Sequence, residues 1–209
     1  MMKKTTSLII SVWLVLLFNP AQATIQTAEE VVMSTADEVL ARLTSEREAL
    51  DADPGMIYGL INEIVIPHFD FMSMSKWVLG KTSWKGASEE QRERFVKEFR
   101  TLLVRTYAKA LLEYSNEAIE YLSEESNPNS NLVVIKTKIH QPGTNAVPID
   151  YRMHVSGGEW KVVDLVVDGV SLVSTYRGSF ASEIKKNGLE ALIGKLSQRN
   201  NVMVNADSR

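Results

Sequence analysis

The side chains able to do chemistry are few and scattered. The chain has three histidines, His68, His140 and His154, and no cysteine. A thiol nucleophile and a thiolate metal site are therefore excluded. No two histidines stand at the H-x-x-x-H spacing of a zinc helix, and no nucleophile elbow, P-loop or Rossmann glycine pattern occurs. Asp164 is the best acid–base candidate, because a carboxylate in a pocket between a curled sheet and helices can act as a general base. Its strand parity is wrong for that role. Asp164 alternates with Val163 and Leu165 and should point away from any cavity those residues face, unless a bulge turns it inward. Tyr107, Tyr151 and Tyr176 fall on apolar faces. Each is either a core aromatic whose hydroxyl reaches a backbone group or part of a pocket wall.

The elements that would position these residues can be read from the apolar period. Ala28, Val31, Val32, Val39, Leu43 and Leu50 form one thin helical stripe over residues 26–50. Asp53-Pro54 opens a second helix, ended by Pro67, and Asp70 caps a third, stopped by Gly80. Ser88 and Gln91 have capping-box spacing. They open the strongest helix, whose face runs Phe95, Phe99, Leu102, Leu103, Tyr107, Ala110, Leu111 and Tyr114. After Ser115 the period changes to two, and turn-rich stretches separate four segments of alternating residues. These predict a four-stranded antiparallel meander with one apolar face. Ser171 caps a further helix with Leu172, Tyr176, Phe180 and Ile184 on its stripe, closed by Gly188, and a short helix follows. The fold class is α+β, with N- and C-terminal helices covering the sheet's apolar face.

Lys3 and Lys4 precede the uncharged run from Leu8 to Phe18, and Ala21-Gln22-Ala23 follows Asn19-Pro20. This is the pattern of a signal peptide, residues 1–23, cleaved after Ala23. The run of about eleven residues is too short to span a bilayer. The expectation is a single domain over residues 24–199, a flexible polar tail over 200–209, and a periplasmic location. Losing Lys3 and Lys4 leaves 21 basic against 26 acidic residues, a balance of −5. With no basic run, nucleic acid is excluded as a partner class.

Two stretches carry a family resemblance: "FMSMSKWVLGKTSWKGASEEQRERFVKEFRTLLVRTYAKALLEY" and "WKVVDLVVDGVSLVSTYRGSF". In their order and spacing they resemble the periplasmic phospholipid-binding proteins of the MlaC, or toluene-tolerance, family. Matching features include Leu79-Gly80 with Trp84, Thr106-Tyr107-Ala108, Asp164, Gly169-Val170-Ser171-Leu172 and Tyr176-Arg177 with Phe180. The resemblance runs from Pro54 to Leu196. Gly178 inside a helix, and Asp168 where glutamate is expected, depart from the pattern.

The resemblance implies a monomeric carrier that takes a phospholipid by its acyl tails, which it encloses in a cavity between the sheet and the helices. It would pass lipid between an outer-membrane lipoprotein complex and an inner-membrane ABC transporter with an MCE-domain subunit, maintaining outer-membrane lipid asymmetry. Bound phospholipid is then cargo, and no cofactor or metal is implied. A sixteen-carbon tail left in water costs about 10 kcal/mol or more, at ~0.8 kcal/mol per CH₂, so the tails must be covered almost completely. The expected lipid-binding residues are Phe99, Leu103, Tyr107 and Leu111 on the long helix. On the sheet they are Val133, Ile135, Tyr151, Val163, Leu165 and Val167, and near the last long helix Val170, Leu172 and Tyr176. An enzyme acting on an apolar substrate in the same cavity, and an adaptor with a packed core, stay open as alternatives at this point.

Overall fold

The computed structural model describes residues 26–113, 118–126, 131–140, 143 and 145–207. The expected signal peptide and its cleavage site lie outside the described residues. Helix α1, Ala28–Ser45, starts on a capping box between Thr27 and Glu30 and leads into α2, Arg47–Ala52. Residues 54–68 are a run of tight and wide turns: Asp53 caps a 3₁₀ turn, α3 is Ile57–Leu60, and Ile61–Val65 is a π turn. Helix α4, Phe71–Gly86, is capped by Asp70 and broken at Gly80, where φ is 72° and ψ 162°. The sequence reading ends that helix at Gly80, whereas the chain turns there and continues as helix. The guanidinium of Arg177 lies against this kink. Helix α5, Glu89–Leu112, carries the expected Ser88–Gln91 capping box.

The sheet has strand order β1-β2-β3-β4-β5 and every pairing is antiparallel. The strands are β1 Ala118–Ser126, β2 Val133–His140, β3 Val147–Ser156, β4 Glu159–Val167 and β5 Val170–Ser171. Five strands stand where the sequence predicts four. The additional strand comes from Asp168-Gly169, whose φ values of 50° and 77° make a two-residue hairpin turn that pairs Val167 with Val170. Asp-Gly is the favoured dipeptide for that turn.

Helix α6, Leu172–Asn187, is capped by Ser171, and α7 is Leu189–Asp207. The expected polar tail from residue 200 is thus a continuation of α7. Asn200 is buried, and its amide donates to the Glu98 backbone carbonyl (3.0 Å) and to its carboxylate (2.6 Å). Those bonds tie the last helix to α5. Helices α6 and α7 pack on each other and on α4 and α5, and only α6 reaches the sheet in strength.

Three separate apolar clusters result. One is all-helical and centres on Phe95, Phe99, Phe180 and Leu102. A second joins α1 to residues 57–64 through Leu43, Leu60 and Ile64. In the third, Ala28, Val31 and Val32 of α1 press on Ile135, Met153 and Val162 of the sheet. Between them the elements do not meet fully.

Candidate functional site

The space left between the clusters is a cavity of about 480 Å³. That lies in the range of small-molecule pockets, ~300–1,000 Å³. Its sheet wall is Ile119, Ile139, Val147, Ile149, Tyr151, Val162, Leu165 and Val167. Leu103, Val104, Tyr107, Ala108 and Leu111 of α5 face the sheet, and Leu172 closes the side at α6. Helix α1 adds Val31, Val32, Thr35 and Val39, and residues 61–71 add Ile61, Val65, His68, Phe69 and Phe71. Polar side chains in the lining are few: Thr35, His68, Tyr107 and Tyr151. Among the described residues, no Asp, Glu, Lys or Arg lines it. Leu165, Val167, Ile149 and Tyr151 are only half-buried by surface area although they lie inside the molecule. The surface they retain faces the cavity. Tyr107, 42% exposed, and the exposed Ala110 mark the mouth, at the C-terminal turns of α5.

Seven of the thirteen sequence-predicted residues line the cavity: Leu103, Tyr107, Leu111, Tyr151, Leu165, Val167 and Leu172. Six do not, for separate physical reasons. Phe99 is fully buried in an aromatic stack with Phe95, Phe180 and Tyr176, with ring centroids 5.4–6.0 Å apart. Only the C-terminal half of α5, from Leu103 to Leu111, reaches the cavity, and its N-terminal half packs on α6 and α7 instead. Tyr176 belongs to the same stack, one turn beyond Leu172. Ile135 and Val133 lie under the first turns of α1. Val163 sits at a bulge: Arg152 pairs with Asp164 and Met153 with Val162, so Val163 is skipped. The extra residue moves Val162 onto the cavity face and takes Val163 off it. Val170, in the short β5, is 56% exposed.

The same bulge leaves Asp164 away from the cavity, as parity suggests, but does not leave it at the surface. Asp164 is 2% exposed. Its carboxylate accepts from Arg152 Nη1 (3.0 Å), the Ser171 hydroxyl (2.6 Å) and the Val173 backbone N–H (3.0 Å). It anchors the N-terminus of α6 to the sheet, where a negative charge also suits the helix dipole.

The tyrosines divide. Burial raises the pKa of the Tyr151 hydroxyl, which is hydrogen-bonded to Thr137 deep in the sheet. Burial and a hydrogen bond with Tyr176 raise that of Tyr107 at the mouth. His68 is held below its ordinary value by burial first and by Lys161 second, with Glu159 and Glu38 opposing. His154 is bonded to the Asp70 carboxylate at 2.9 Å. His140 meets Glu120 at 2.7 Å. The described residues hold no group of three or more potential metal ligands, and no described helix is long and apolar enough to cross a membrane.

The lining contributed by α1 and residues 61–71 has no counterpart among the sequence-predicted residues. Its signal was present as apolar periodicity, but ordinary core residues produce the same signal.

Residues 33–198 match the family described as MlaC protein. The chain is 30% identical over 163 residues to the toluene tolerance protein ttg2D of Pseudomonas putida, covering 78% of this chain and 75% of that protein. It is also 30% identical over 178 residues to the intermembrane phospholipid transport system binding protein MlaC of Haemophilus influenzae, covering 83% and 82%. Among solved structures it is similar to the phospholipid-binding protein from Ralstonia solanacearum, solved in complex with a phospholipid. The TM-score is 0.78 at 28% identity, over 86% of this chain and 99% of that one. The family match covers the kinked α4, the Asp164 anchor and the cavity lining apart from Val31 and Val32, and the chain belongs to the MlaC family.

Proposed function

We propose that this protein is a periplasmic phospholipid carrier. It encloses acyl tails in the cavity, keeps the headgroup at the mouth near Tyr107 and performs no chemistry on its cargo. The observation that carries the reading is a space of about 480 Å³ with an apolar wall and, among the described residues, no Asp, Glu, Lys or Arg in its lining. Such a wall replaces the bilayer interior for the tails and offers a water-soluble substrate little to bind. The named relatives supply the direction: an intermembrane phospholipid transport binding protein and a phospholipid-bound structure. Acting as a monomer, the carrier would pass lipid between an outer-membrane lipoprotein complex and an inner-membrane ABC transporter with an MCE-domain subunit, maintaining outer-membrane lipid asymmetry. The mature chain would begin at Thr24, which the intact mass of the periplasmic protein reads directly.

The test is mass spectrometry of lipid extracted from purified wild type and two variants. Wild type carries phospholipid near one per chain. Leu165→Asp places a carboxylate in the middle of the sheet wall, where it costs several kcal/mol or must take up a proton. The variant folds, because the cavity admits water, and its lipid content drops sharply. Asp164→Asn loses charge-assisted bonds at the start of α6 and is less stable by ~1–3 kcal/mol. It keeps its lipid, because Asp164 lies off the cavity. A loaded Leu165→Asp protein, or an empty wild type that turns over a small apolar substrate, sinks the carrier reading. An empty and inert wild type leaves an adaptor.

A further inference from the structure

A second hollow, a groove of about 550 Å³, lies on the outer side of the cavity wall and has the opposite chemistry. Its charged members are Lys97, Arg100 and Arg105 against Glu93, three cations to one carboxylate, in a chain whose net charge is −3. The two arginines are held in place. Arg105 stacks on Tyr58 with its guanidinium carbon 3.8 Å from the ring centroid. Arg100 donates from Nη2 to Asn62 Oδ1 at 2.7 Å and lies 6.0 Å from the Phe71 ring. Asn62 is fixed in turn, its amide donating to the Tyr58 carbonyl at 2.7 Å. Asn62 belongs to the π turn Ile61–Val65, and such turns occur often at functional sites. Planar guanidinium forks pre-set in this way match the oxygens of a phosphate and lose little freedom on binding it.

We propose that this groove is a second ligand site, outside the tail cavity, for the phosphodiester of a lipid headgroup. Two observations favour a headgroup over an acidic protein segment. Val104 lines both the groove and the cavity, so a headgroup held here lies one side chain from the tail space. The groove also mixes its cations with apolar surface from Met72, 50% exposed, and Val96, which suits the glycerol side of a headgroup. The choice of a lipid source rests on the carrier reading. The anion site does not, and it is tested without tails.

The experiment follows the side-chain Nε–H resonances of Arg100 and Arg105 in the ¹⁵N-labelled mature chain at low ionic strength, where exposed charge pairs are least screened. Glycerophosphoglycerol, inorganic phosphate and an aspartate-rich peptide are titrated separately. Glycerophosphoglycerol shifts both arginines saturably and binds more tightly than the other two. The double variant Arg100→Gln, Arg105→Gln weakens that binding about tenfold or more while its circular dichroism stays that of wild type. Tighter binding of inorganic phosphate keeps the anion site and overturns the headgroup as its source. Tighter binding of the peptide overturns the headgroup in favour of an acidic protein segment, and no saturable shift in wild type, or an undiminished shift in the double variant, overturns the site itself. If the double variant does not fold, the wild-type titration decides.

Discussion

Asp164 and His68 show how little a residue's type says about its task in this molecule. Asp164 is a buried carboxylate with every bond directed at structure, two of its three partners lying at the start of α6. His68 lies in the cavity wall, and its depressed pKa has a consequence for pH. The folded state holds its proton less tightly than the unfolded chain, whose histidines titrate near 6.5. Its contribution to stability is therefore intact above that value and is lost as pH falls through the lower folded value. Between pH 7.5 and 5.5 the melting temperature of wild type should drop further than that of His68→Gln, measured by calorimetry at both pH values. Equal drops would mean that His68 stays solvated and tolerates its charge.

At the scale of elements, two local devices shape the cavity's surroundings. The bulge at Val163 re-aims β4, so that Val162, Leu165 and Val167 all reach the cavity although their spacing breaks strict alternation. The kink at Gly80 turns α4 back across α6, with Arg177 against it. At φ 72° and ψ 162° the backbone occupies a region open essentially to glycine alone. Gly80→Ala should cost ~1–3 kcal/mol in chemical denaturation, with the m-value unchanged. A neutral result would show that α4 can straighten without loss. The kink lies away from the cavity lining, so lipid content per folded molecule should be that of wild type.

For the molecule as a whole, the three apolar clusters leave a space that one dense core would have filled. A ligand bound only by the folded state stabilises it by mass action. Protein stripped of lipid by unfolding and refolding should therefore melt at a lower temperature than protein as purified. Adding long-chain phospholipid should restore the difference. A short-chain analogue at equal concentration should restore less, because each missing CH₂ forfeits ~0.8 kcal/mol of burial. Identical melting of stripped and loaded protein would mean that the cavity collapses when empty and gains nothing from cargo.

The sequence by itself determined the α+β class, the Ser88–Gln91 capping box, four of the five strands and the apolar character of the inner faces. Each of these is written in local period or in the chemistry of a few neighbouring residues. Asp168-Gly169 carried a legible hairpin signal as well, but the fifth strand it makes is only two residues long and was hidden by the helix that follows. Which inner-face residues line space and which are packed core was not legible, because Phe99 and Leu103 sit on one stripe of one helix and differ only in what lies opposite. Phe99 meets Tyr176 and Phe180, whereas Leu103 faces the cavity. The burial of Asn200 likewise depended on a partner about a hundred positions away, Glu98. Periodicity reports that a face is apolar, but a void is a property of how several faces fail to meet, and only the tertiary arrangement decides that.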